Sequence, residues 1–119
     1  MKKKYFSHLD KNNYAKIVNI NTKKISKRIA IAEGRIKFSK LAFDKISKQE
    51  LKKGELKNIS IIAGIVASKK TSDLIPLCHN IPIEDVKIRI INQSSTQSFK
   101  VVCTVVSSAK TGVEMEALT

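Results

Sequence analysis

The sequence predicts one α+β domain in which helices cover one face of an antiparallel sheet, and three observations carry that prediction. Residues 26–38 and 86–105 alternate apolar and polar side chains with the period of two expected of half-buried strands. Residues 55–68 repeat apolar side chains at helical spacing. A Thr-x-x-Glu pattern near the end of the sequence marks a further helix start.

Residues 1–24 set single apolar side chains among polar and basic ones, and are expected to form an extended arm outside a domain of residues 25–119. The first strand puts Ile29, Ile31, Ile36 and Phe38 forward as its inward row, with Gly34 as a break or bulge. Ser39 is the expected N-cap of a helix running through Leu41, Phe43 and Ile46 toward Leu51, ended or bent at Gly54. The second helix, over about residues 55–68, carries Ile59, Ile62, Ala63, Val66 and Ala67 in the i, i+3, i+4, i+7, i+8 stripe of a core-facing helix. Ile61 and Ile65 widen that stripe, so burial on more than one side is expected. Ala63, Gly64 and Ala67 admit the close approach of another backbone.

Pro76 and Pro82 bracket an extended segment. Val86, Ile88 and Ile90 then alternate with Lys87 and Arg89, residues 92–98 form a polar turn, and Phe99, Val101, Cys103 and Val105 make the inward row of a returning strand. Thr111 and Glu114 read as a capping box with a third helix starting near Gly112. Only about two turns of that helix precede Thr119, too few to be stable alone, so either the helix continues in a longer native chain or this is a truncated product.

With 119 residues, 42% of them hydrophobic, the chain is sized for one small core. Its formal charge of +13 raises the question of a polyanionic partner. Residues 1–60 hold 17 of the 23 basic and 5 of the 10 acidic residues, so the second half, where the dense motifs lie, is nearly neutral. Of the basic residues 20 are Lys and 3 are Arg, whereas phosphate clamping and base readout favour the Arg fork. The 4 Phe, 2 Tyr and no Trp offer little for base stacking. The charge therefore reads as a drift toward Lys, Ile and Asn, and no nucleic-acid partner is expected. A basic nucleic-acid-binding protein is the remote alternative, and it predicts steeply salt-sensitive binding.

The two cysteines, Cys78 and Cys103, make no disulfide framework, and no CxxC or HxxxH spacing supports a zinc site. The start MKKKYF is followed by SHLDKNN where a signal peptide needs an apolar run, and no stretch approaches a membrane span of roughly 20 apolar residues. A cytoplasmic protein with no membrane partner is expected.

The stretch from Lys69 to His79, KKTSDLIPLCH, places charge, a turn, a thiol and an imidazole within 11 residues. Neighbours in an extended segment point to opposite faces, so Cys78 and His79 do not read as a catalytic dyad. Cys78 reads as a small buried hydrophobe. His79, beside a proline-bracketed turn, stands evenly between a pocket-facing and a structural role. Lys69 and Lys70 suit the last turn of a helix, where cations complement its dipole, and Asp73 suits a cap. Lys53 reads equally as one of many solvated lysines, and Glu114 has a structural task in its capping box.

Four segments carry a resemblance that no single residue does: KKG at 52–54, IAGI at 62–65, TSDLIPLCH at 71–79 and KTGVEMEALT at 110–119. Together they resemble the cyclic pyranopterin monophosphate synthases, the molybdenum cofactor biosynthesis protein C family, from about His8 to Thr119. The resemblance implies a ferredoxin-like fold, with the final helix cut short and the last strand missing. It implies a lyase that converts a cyclised, triphosphate-bearing derivative of GTP into cyclic pyranopterin monophosphate with release of pyrophosphate. It further implies a hexamer built as a trimer of dimers, with active sites at subunit contacts. No resident cofactor follows from it, and magnesium is expected only in company with the substrate phosphates.

By the same resemblance, Lys53 matches the catalytic lysine of the family's K-G-D segment, where an amine suits general acid or base work. His79 matches the histidine of its L-C-H-P segment, which contacts substrate. Glu114, Met115 and Glu116 match its V-E-M-E residues, whose carboxylates suit the donors of a guanine-like ring. Arg28 matches a basic residue that helps hold the phosphates, and Lys69 is expected to assist as a point charge.

The sequence also departs from the family. Asn19 stands where an aspartate is usual, Asn80 replaces the proline after His79, and Ala109 replaces a glycine before Lys110. An aspartate, a second catalytic lysine and a phosphate-binding lysine follow, in the family, the position matched by Thr119. A degenerate homologue that at most binds nucleotide is therefore the alternative to a synthase.

Overall fold

The computed structural model describes residues 6–48 and 53–119, and the side chains of all of these except 53 and 54. In chain order the elements are strand β1 (Ser26–Lys37), helices α1 (Lys40–Ser47), α2 (Lys53–Lys69) and α3 (Thr71–Leu74), strand β2 (Asp85–Gln93), strand β3 (Ser98–Ala109) and helix α4 (Glu114–Leu118). The three strands form one antiparallel sheet in the order β1-β3-β2, with helices packed on it. This is the α+β arrangement the alternating segments predict, and it is consistent with a ferredoxin-like fold.

The hairpin follows the sequence closely. A single 3₁₀ turn at Ser94–Thr96 joins β2 to β3, and Gln97 closes it in the left-handed region at φ 51°. Ile88 then pairs with Cys103, and Val86 with Val105. The expected inward row of β3 faces the helices. Phe99 anchors one cluster with Phe43 and Ile46, while Val105 anchors a second with Val113 and Ala117. Phe99 meets Phe38 and Phe43 edge to face, with ring centroids 5.0 and 6.1 Å apart. Between the clusters runs an apolar groove of about 610 Å³ whose walls include Val101, Cys103, Gly64, Ile88 and Leu118.

The first half of strand β1 is turned over relative to expectation. Its helix-facing row is Arg28, Ala30 and Ala32, continued by the expected Ile36 and Phe38, while Ile29 and Ile31 are exposed on the other side of the sheet. Both rows are apolar enough to be an inner row, so alternation marks the strand without saying which face is covered. The alanines settle it, because α4 lies on β1 and needs small side chains beneath Val113 and Ala117.

Helix α1 starts as expected, with the Ser39 side chain accepting a hydrogen bond from the Ala42 amide at 3.2 Å. It buries Phe43 and Ile46 but leaves Leu41 exposed, and Leu51 lies outside the described residues. Helix α2 begins at Lys53, so Gly54 sits in its first turn instead of separating two helices. Its inner face is also rotated from the predicted stripe. Ile61, Gly64, Ile65 and Ser68 turn inward, whereas Ile59, Ile62, Ala63 and Val66 are exposed. Gly64 decides the rotation, since a methyl there would overlap Ile88 Cδ1 of β2. The second apolar side that the sequence promises is real, but it lies bare in the single chain.

The capping box does not form. The N-cap of α4 is Val113, without a side-chain cap bond, because the Glu114 carboxylate folds over Gly112 instead of reaching back toward Thr111. Residues 6–25 contain one short bridge, Leu9 with Ala15, closed by Asp10 Oδ1 accepting from the amides of Asn12 and Tyr14 at 2.8 and 2.9 Å.

Candidate functional site

Two connections meet at one end of the sheet, and the residues between them form a pocket of about 210 Å³. The first connection follows α2. Buried Ser68 and Thr71 hold the helix end by donating to Ile65 O and Ser68 O at 2.7 and 2.8 Å, and α3 adds a single turn before Pro76 halts helical structure. Leu77 then adopts a left-handed backbone at φ 62°, which is unusual for a side chain of its size and reverses the chain so that Cys78 and His79 line the pocket. The segment is pinned to β3 by the fully buried Ser107, whose hydroxyl donates to Pro82 O.

The second connection leads from β3 into α4. Val113 and Ala117 anchor this helix on the sheet, which leaves Glu114 and Met115 on the pocket side and Glu116 between pocket and groove. Gly112 gives the Glu114 carboxylate its place over the chain. Arg28 braces the strand exit from below, with Nε donating to Ala109 O and Nη2 to Lys110 O, each at 3.4 Å.

Glu116 has the most unusual surroundings. It is 3% exposed, and its Oε2 finds no hydrogen-bond partner. Burial, assisted by the charge of Glu114, pushes its carboxyl above the ordinary carboxylate value. Glu116 thus holds a proton more readily than an ordinary carboxyl, whereas Glu114 beside it stays exposed.

Cys78 is half-buried at the pocket wall and not a core residue as expected. Its thiol is nonetheless unsuited to attack, because burial and then the negative charge of Glu116 push its pKa up.

The pocket thus gathers His79, Glu114, Met115 and Glu116 from the predicted set. Arg28 and Lys69 lie outside its lining, Arg28 on the carbonyls named above and Lys69 exposed at the end of α2. Lys53 begins α2, and its side chain lies outside the described residues. Sequence reasoning missed His8 and Leu77 as lining residues. Neither carries a signal, since nothing in the arm announces that it folds back, and the left-handed Leu77 follows from tertiary context. Asn19 is exposed and accepts from the Asn21 amide at 2.9 Å. Among the described residues no group of three His, Cys, Asp or Glu side chains is placed to hold a metal ion.

Comparison with known proteins identifies the family. The MoaC family matches residues 17–119, which include every residue of α4. The cyclic pyranopterin monophosphate synthases of Helicobacter pylori strains Shi470 and J99 are 48% and 49% identical over 112 residues. That of Campylobacter jejuni strain RM1221 is 45% identical over the same length. In each case the match covers 94% of this chain and 71% of the relative. With the family matched across the whole sheet and its helices, the chain belongs to the MoaC family.

Proposed function

We propose that the chain is a cyclic pyranopterin monophosphate synthase of molybdenum cofactor biosynthesis, a lyase acting on the cyclised GTP derivative with release of pyrophosphate. The observation that carries this reading is the convergence of His79, Glu114, Met115 and Glu116 on one pocket in a chain about half identical to proteins of that name. Glu114, as carboxylate, accepts from N–H donors of a guanine-derived ring. Glu116, the buried carboxyl beside it, adds an acceptor and, in its protonated form, a donor. Met115 supplies an apolar contact for the ring, and Lys53 is assigned the proton transfers of the rearrangement. Arg28 and Lys69 are assigned to the phosphates, with Arg28 also bracing the loop through Ala109 and Lys110.

The active form in this reading is a homo-oligomer, a hexamer as the resemblance implies. Two features of the single chain support it. A pocket of about 210 Å³ is small against the ~300–1,000 Å³ of typical ligand sites, as expected if a neighbouring chain supplies the other wall. In addition, Ile29 and Ile31 on β1 and Ile59 and Ile62 on α2 are each more than half exposed, forming two apolar faces for subunit contact. No described helix is long and apolar enough to cross a membrane, and a cytoplasmic site of action is part of the proposal.

The test is pyrophosphate release from the cyclised GTP derivative, with Lys53→Ala as the control. Release that disappears in the variant supports a synthase. Asn19, which takes a charge away from the arm beside His79, favours a second reading in which the chain binds nucleotide without turnover. Binding of the derivative with no pyrophosphate formed would select it.

A further inference from the structure

A hydrogen bond joins the N-terminal arm to the pocket. Val18, in the segment between the small N-terminal bridge and β1, brings its carbonyl oxygen 2.7 Å from His79 Nε2, 61 residues away in sequence and in partly buried surroundings. A carbonyl oxygen only accepts, so Nε2 must carry the proton. A neutral imidazole has a single N–H, and with it committed to Val18 the lone pair resides on Nδ1.

We propose that the N-terminal arm is part of the site, and that it fixes His79 as the Nε2–H tautomer so that Nδ1 is a hydrogen-bond acceptor for the ligand. The inference rests on the substrate reading above for the ligand and on the Val18 contact for the tautomer. It has a consequence for specificity. An acceptor at Nδ1 pairs with an N–H or O–H of the base or sugar and has nothing to offer a phosphate oxygen, which itself only accepts. His79 therefore reads the base or sugar portion, and the phosphates fall to cationic residues. Val18 acts as a positioning residue through its backbone, independent of its side chain.

The full chain contains two histidines, His8 and His79, so His8→Gln leaves a single imidazole to observe. Long-range ¹⁵N–¹H correlation on this variant at mildly alkaline pH reads the tautomer directly, and an Nε2-bound proton is expected to show a nuclear Overhauser effect to Val18. The Nε2–H form is expected to outweigh the other by about tenfold, the bias one net hydrogen bond supplies. A predominant Nδ1–H form, an averaged mixture or an imidazolium at that pH would overturn the proposal, and none of these outcomes involves substrate. GTP is then added as the probe, with tripolyphosphate in parallel. A shift of Nδ1 with GTP alone supports base or sugar recognition, and an equal shift with tripolyphosphate overturns it. If GTP moves nothing while the tautomer is as proposed, the arm contact stands and the nucleotide reading fails.

Discussion

The carboxylate of Glu114 occupies the space that a side chain on Gly112 would fill, so the position of an acid in the pocket depends on the absence of an atom two residues earlier. Replacing Gly112 with Ala must move that carboxylate. Because the overlap is with the end of a flexible side chain, the fold tolerates the change and the site does not. Loss of a positioned charged hydrogen bond, worth about 1.5–3 kcal/mol, predicts roughly 10- to 100-fold weaker binding of the GTP derivative with little change in the urea midpoint. Calorimetric titration and urea unfolding of Gly112→Ala check both halves.

Glu116 predicts a pH dependence of stability. Its carboxyl is raised in the folded chain above the ordinary value of 4.5, so the native state holds this proton to higher pH than the unfolded state does. Stability from this group is therefore fully present below the unfolded value and is lost as pH rises through the folded one. Glu116→Gln cannot lose a proton and escapes that penalty. The variant should gain on the unchanged chain as pH rises from the carboxylate range to neutrality, read from urea midpoints at the two ends. A gap that does not vary with pH would refute the assignment.

The apolar faces predict an assembly that single substitutions disrupt. Ile31 is 69% exposed and Ile62 61% exposed in one chain, so a lysine at either position should change monomer stability by no more than about 0.5 kcal/mol. Buried in a subunit contact, the same lysine is costly. Sedimentation velocity should find Ile31→Lys or Ile62→Lys in a smaller species than the unchanged chain. Identical sedimentation of both variants would remove these faces from the interface.

How far the sequence leads is clearest at β1 and α2. The hairpin strands were legible because Val86, Ile88 and Ile90 alternate with Lys87 and Arg89, and Phe99, Val101, Cys103 and Val105 recur at every second position. In β1 the isoleucines and the alanines compete for the inner row, and only the packing of α4 decides between them. In α2 the apolar residues cover too much of the circumference, and the approach of Ile88 to Gly64 selects the face. The motifs marked four residues that line one pocket, His79, Glu114, Met115 and Glu116. What joined them was not legible, since the left-handed Leu77 and the Val18 carbonyl are backbone features without a residue signature.

Phe99 joins the cluster under α1 to the centre of the sheet and is 5% exposed, with Phe38 and Phe43 against its ring. Phe99→Ala should cost about 3–5 kcal/mol, read as a lower urea midpoint. A loss below about 1 kcal/mol would mean that the site stabilises by collapse or that the cluster is not packed as described.

The most direct measurement is the rate of pyrophosphate release from the cyclised GTP derivative by the unchanged chain and by His79→Ala. The pocket described here predicts release by the unchanged chain and a loss of at least about tenfold in the variant, the effect of removing one well-placed hydrogen-bonding group. Equal rates in the two proteins, or no release by either, would contradict it.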